Sequence, residues 1–226
     1  MRTLRNIISL ILPVFIMAFS SCSVNDNTYD GEVTATLYDI VTFTGNDNGQ
    51  AVFTFNQVDD TPEVTLRANG TLDDKRIEQG KRIYIAYQPV HGKAYVSDDI
   101  RLYSLASINN GTINTEESIA DFPEWDRDKV YLLAAWRSGK YINLQTRLVY
   151  TKEPRKYRLV GDQETFGDPY PDVYLLHQLN EETDNFQRTF YASFDISPVW
   201  ELPTCRGITL HVANSNLKQT KFIFKK

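Results

Sequence analysis

Cysteine is nearly absent from these 226 residues, which hold only Cys22 and Cys205. If either is committed elsewhere, no intrachain disulfide can form, and stability must come from a packed core. Sustained helical stripes are missing too: the two nearest stretches, 72–79 and 179–185, are short and mostly charged. No apolar run reaches the roughly 20 residues that cross a bilayer, the longest being 7–19. Positive charge is in deficit, with 24 Lys+Arg against 29 Asp+Glu and a net charge of -5. That balance argues against nucleic-acid binding and against adhesion by charge to an anionic membrane.

Catalytic signatures are equally scarce. His91, His177 and His211 lie far apart, and none has a second ligand at metal spacing. The acidic doublets at 59–60, 73–74, 98–99, 116–117 and 181–182 sit at turn-like positions and read as solvated loop acids, not as a glycosidase pair. There is no nucleophile elbow and no phosphate-cradling loop, and 45–49 lacks the order of a calcium loop. Cys205 precedes Arg206, but without an identified base it reads as an inert, partly buried thiol. We therefore expect no catalytic residue, metal or cofactor.

What is present begins with an address. Arg2 and Arg5 precede the apolar run, which ends in Phe19-Ser20-Ser21-Cys22. Small residues running into a cysteine match a lipobox, so 1–21 is expected to be a lipoprotein signal peptide and Cys22 the acylated residue. Ordinary cleavage near Ser20 or Ser21 is the alternative. Removing 1–21 takes Lys+Arg from 24 to 22 against the same 29 acids, leaving a net charge of -7. Attachment then falls to lipid: one acyl chain holds marginally and several hold firmly, at about 0.8 kcal/mol per buried CH₂. Residues 22–32 are polar and read as a flexible tether, although Asp26 could instead signal surface export. The expected location is the cell envelope, on the outer membrane of a Gram-negative bacterium.

From Val33 onward, apolar and polar residues alternate with many β-branched and aromatic side chains. This is the period-2 pattern of half-buried strands. Strands are expected at 33–38, 40–44, 51–55, 64–68, 82–87, 94–96 and 100–108, with a hairpin loop at 45–49. About five strands between 33 and 112 suit a small closed barrel. After Asn110-Gly111, a helical turn is expected near 115–119. Strands follow at 130–136, 141–150, 156–159, 172–178, 189–195, 207–213 and 221–224. Their spacing suggests that 113–226 form an antiparallel β-sandwich, making the whole mature chain all-β.

The lipobox, the strand 80–87, the hairpin 136–150 and the late strand 191–196 occur in an order that resembles the NigD-like lipoprotein family. The resemblance spans essentially the whole mature chain. It implies an OB-like N-terminal β-barrel followed by a C-terminal β-sandwich, in envelope proteins of Gram-negative gut and oral anaerobes. It implies no catalytic residues. A bacteriocin gene cluster gave the family its name, which implies an immunity or accessory role by association.

One strand carries a candidate binding face. Alternation puts Ile142, Leu144, Leu148 and Tyr150 on one side and Tyr141, Asn143, Gln145 and Arg147 on the other. A row of aromatic, amide and guanidinium groups could hold a sugar ring or an extended peptide. A solvated strand face, or a surface covered by the other domain, is the competing reading. Trp125, Trp136 and Trp200 are read first as packing residues. Three functions stay open: a non-enzymatic envelope protein binding a glycan, peptide or envelope protein; a bacteriocin immunity protein; and a hydrolase whose site is assembled from distant residues. The anchor is directly testable. Cys22→Ser should move the protein from the detergent phase to the aqueous phase in Triton X-114 partitioning, and unchanged partitioning would remove Cys22 as the anchor.

Overall fold

The computed structural model describes residues 35–75, 77–149, 156–177 and 186–226. The signal peptide, Cys22, the tether, Tyr150, the doublet 181–182 and the helical candidate 179–185 lie outside the described residues. Within them, alternation becomes thirteen strands.

Five strands close a barrel: β1 (Leu37–Asp47), β2 (Gln50–Phe55), β3 (Val64–Asn69), β4 (Arg82–Pro89) and β5 (Asp98–Ser107), in the order β1-β2-β3-β5-β4. The pair β3–β5 is parallel and β4 returns to β1, an OB-type arrangement. β1 is long enough to pair with β4 along its first half and with β2 along its second. The expected loop at 45–49 is tighter than the sequence suggested. Asn48 and Gly49 alone make the turn, with φ of +50° and +79°. Positive φ at both central positions matches the twist of the flanking strands. Gly45, at φ +126°, instead marks a bulge in β1. Residues 94–96 are not a strand: Tyr95 sits in a turn at φ +60°. The barrel fills with Val41, Phe43, Phe53, Phe55, Leu66, Ile83, Ile85 and Tyr87. The Tyr87 hydroxyl donates to Asp39 Oδ2 at 2.9 Å.

The remaining strands form two four-stranded sheets. One runs β6-β11-β8-β7, from β6 (Asn109–Thr112), β11 (Gln187–Asp195), β8 (Tyr141–Val149) and β7 (Tyr131–Ser138). The other runs β13-β12-β10-β9, from β13 (Lys221–Lys225), β12 (Gly207–His211), β10 (Asp172–His177) and β9 (Tyr157–Gly161). Ile142, Leu144 and Phe194 of the first sheet share one core with Leu159, Val173, Leu175, Ile208 and Leu210 of the second. Cys205 is buried in this core. The sandwich is not wholly antiparallel, since β6–β11 and β10–β12 are parallel pairs. Between β10 and β12 the chain crosses to build β11 in the opposite sheet and returns in its original direction, which a hairpin cannot do. The chain passes from barrel to sandwich at Ile108, because β5 closes the barrel while β6 already pairs with β11.

The loop after β2 clamps the barrel to the β7–β8 turn. The Arg137 side chain is 1% exposed, and its Nη1 and Nη2 donate to the two Asp60 oxygens at 2.7 and 2.8 Å. Its guanidinium also lies 4.7 Å over the Trp200 ring. The Asp59 and Gly139 amides donate to the carbonyls of Arg137 and Asp59 at 2.9 and 2.7 Å. Gly139 has φ +56°, and a Cβ there would run into Asn56 Oδ1. The hydrogen bond from Arg137 holds the Asp60 carboxyl below its ordinary value.

Two acids therefore act on stability with opposite signs. The Asp60 contribution is complete above about pH 4 and is lost as pH falls through the lowered folded value. Burial pushes Asp39 up to about 6, against hydrogen bonding from Tyr87. Its contribution is complete below about pH 4 and is lost as pH rises through 6. Asp39→Asn should therefore stabilise the protein at pH 7.5 by about 1–2 kcal/mol and have no such effect at pH 4. Asp60→Ala should destabilise it by about 1–2 kcal/mol at pH 7.5, the exposed carboxylate being partly screened. Urea unfolding at both pH values measures each. Equal effects of Asp39→Asn at the two values would contradict the first expectation, and an unchanged midpoint for Asp60→Ala the second.

Candidate functional site

The site follows from which residues of β4 point outward. Ile83, Ile85 and Tyr87 fill the barrel, so alternation turns Arg82 and Tyr84 toward the sandwich. They meet the non-core side of β8 and β11, where register sets Tyr141 opposite Asp195, Asn143 opposite Ser193 and Gln145 opposite Tyr191. The row expected to bind a ligand is thus largely the floor on which the barrel sits.

Arg82 occupies the middle of this contact and is 3% exposed. Its Nε donates to Ser193 Oγ at 3.2 Å, Nη1 to Thr42 Oγ1 at 3.3 Å and Nη2 to Asn143 Oδ1 at 3.4 Å. The guanidinium lies 4.5 Å over the Tyr141 ring. Burial pushes its pKa down to about 10, while Tyr141 and Asp39 pull the other way. Asn143 is 0% exposed; its Oδ1 also accepts from Ser193 Oγ at 2.8 Å, and its Nδ2 is buried without a partner.

The four expected residues are therefore divided. Asn143 is sealed and Tyr141 lies beneath Arg82. Gln145 donates to the Tyr191 hydroxyl at 3.1 Å. Arg147, at the exposed end, stacks 5.5 Å from the Tyr131 ring. No single ligand touches all four in this arrangement.

Where the barrel and sandwich part, they leave a cleft of about 270 Å³. Tyr38, Asp39, Ile40 and Tyr84 wall it from the barrel, Asn56 and Gln57 from the loop after β2, and Trp136, Ser138, Gln145 and Tyr191 from the sandwich. Tyr84 stacks against two rings, with centroids 4.3 Å from Tyr191 and 6.1 Å from Tyr38. The Tyr191 and Tyr84 hydroxyls lie 3.3 Å apart, and burial raises the Tyr84 pKa. Tyr38 is 60% exposed. Among the described residues neither Lys nor Arg lines the cleft. A wider groove of about 600 Å³ on the other side of Tyr84 and Tyr191 includes Lys156 and Arg188.

Sequence reasoning placed Gln145 correctly on an outward face but missed Tyr38, Tyr84, Tyr191 and the cleft role of Trp136. Arg82 and Tyr84, polar alternates on an otherwise apolar strand, were the available signal. The histidines do not converge. His211 Nε2 meets Asp172 Oδ1 at 2.6 Å, whereas His177 Nδ1 faces the Asp128 carbonyl at 3.0 Å. Among the described residues no three His, Cys, Asp or Glu side chains are grouped to hold a metal.

No family model and no curated protein matches the sequence. Solved structures do match. A protein of unknown function from Bacteroides vulgatus is 17% identical with a TM-score of 0.62, over 85% of this chain and 91% of that one. A NigD-like immunity protein from Bacteroides caccae is 16% identical with a TM-score of 0.55, over 83% and 91%. A protein described as a candidate lipoprotein from Bacteroides fragilis is 13% identical with a TM-score of 0.55, over 85% and 96%. At these identities the likeness is one of fold, and the chain has the all-β architecture that these proteins share, a NigD-like immunity protein among them.

Proposed function

We propose that this chain is a non-enzymatic lipoprotein, anchored through Cys22 in the outer membrane, that captures a ligand in the cleft between barrel and sandwich. The cleft carries this reading: aromatic rings, amides and hydroxyls converge there from both halves of the fold, a lining rich in groups that can hydrogen-bond a polar ligand. Among the described residues Asp39 is the one carboxyl in its lining, whereas glycoside hydrolysis uses two that face each other across the bond. The His211–Asp172 pair does not line it. The lipobox supports the anchor, and a neighbour of the same fold is itself described as a candidate lipoprotein.

A second reading, protection against a bacteriocin, is favoured by the Bacteroides caccae protein's description as a NigD-like immunity protein. Deleting the gene should then sensitise cells to a bacteriocin made by relatives, and unchanged sensitivity across a panel would count against it.

Trp136 in the cleft wall reports occupancy. Full-length protein in detergent, titrated with solubilised envelope polysaccharide or with a random peptide library, should show a saturable change in tryptophan fluorescence. Trp136→Phe should abolish that change. Flat titrations with both probes would overturn the cleft as the binding site.

A further inference from the structure

Resting on that reading of the cleft, we propose that its ligand is one uncharged pyranose ring of a glycan, stacked on Tyr38 and hydrogen-bonded by Gln57 and Gln145. Size restricts the ligand first. About 270 Å³ falls just under the roughly 300 Å³ at which pockets for drug-sized ligands begin, so a ring enters while the remainder of a chain stays outside. Charge restricts it second. With Asp39 in the wall, no Lys or Arg among the described residues of the lining and an acidic protein around it, the cleft disfavours a uronate, sialate or phosphate.

The arrangement of the rings restricts it third. A quaternary ammonium is typically recognised by a cage of aromatic faces, whereas Tyr84 and Tyr191 here stack on one another at 4.3 Å. Tyr38, 60% exposed, leaves ring surface available in the cleft wall. One exposed ring suits the C–H face of a sugar. The remaining lining matches its rim. Each sugar hydroxyl both donates and accepts, and so does each side-chain amide. Gln57 is exposed at the mouth, and Gln145, held by its bond to Tyr191, stands on the sandwich wall.

The test uses full-length protein in detergent with glucose, galactose, mannose and N-acetylglucosamine, beside glucuronate, choline and the peptide library, each followed by Trp136 fluorescence. At least one neutral sugar should bind saturably. Tyr38→Ala removes an exposed ring and should weaken that binding roughly tenfold, whereas Tyr38→Phe, which keeps the stacking face, should change it less than twofold. A response only to glucuronate, choline or peptide would overturn the sugar assignment and leave the cleft standing. Neutral sugar binding that ignores Tyr38→Ala would overturn the stacking geometry. Silence from every probe would overturn both this inference and the cleft.

Discussion

A buried guanidinium without a carboxylate partner governs how the two halves of this protein meet. Arg82 stays charged at neutral pH even after burial has pushed its pKa down to about 10, so each of its three nitrogens must find an acceptor inside the contact. Three neutral ones are supplied, Ser193 Oγ, Thr42 Oγ1 and Asn143 Oδ1, with the Tyr141 ring beneath. A charge buried this way tolerates no sliding, since displacement by one residue would put the opposite face of a strand under the guanidinium. The polar row on β8 and β11 is thus a seat cut for one side chain. Leaving Asn143 Nδ2 without a partner is consistent with that: its oxygen is committed to Arg82 and Ser193, and its amide end takes what geometry remains.

The second clamp works in the opposite sense. Arg137 belongs to the sandwich and is held by Asp60 of the loop after β2, while Arg82 belongs to the barrel and is held by the sandwich. Each half therefore buries an arginine among acceptors supplied largely by the other, with one of its own beside them, Thr42 Oγ1 for Arg82 and the Gly139 carbonyl for Arg137. Two such contacts fix an orientation that one alone would leave free to rotate. The cleft is lined by residues adjoining both: Asn56 and Ser138 border the Arg137 clamp, and Tyr84, two residues beyond Arg82, forms part of its wall.

The strands and the closed barrel were legible because a period-2 pattern is local. Strand pairing is not. Nothing in residues 109–112 states that they will lie parallel to 192–195, 83 positions later, so the expectation of an antiparallel sandwich held for the hairpins and failed at the two long crossovers. The polar face of β8 shows the same limit at the level of a site. Alternation identified Tyr141, Asn143, Gln145 and Arg147 as sharing one side, but it cannot distinguish a face turned to water from one turned to a second polar surface. Only Arg82, more than fifty residues earlier, decides that Asn143 is sealed while Arg147 is wet. The turn at 48–49 failed differently: five loop-forming residues in succession concealed that two suffice and that Gly45 serves a bulge.

Rigidity bears directly on what the cleft can do. A ligand wedged between two mobile halves must order them, and that cost comes out of its affinity. Here the walls are strands of a closed barrel and of an inner sheet, and the Arg82 and Arg137 clamps hold them together before anything binds. Tyr84 stacks against Tyr191 and Tyr38 and Gln145 is bonded to Tyr191, so much of the polar and aromatic lining is already ordered. Under those conditions a small uncharged ligand, offering one stacking face and a few hydroxyls, can be selected by shape even though each contact is weak. The specificity would then reside in the spacing of the two halves, so that disturbing either arginine should alter binding without touching a single residue of the cleft.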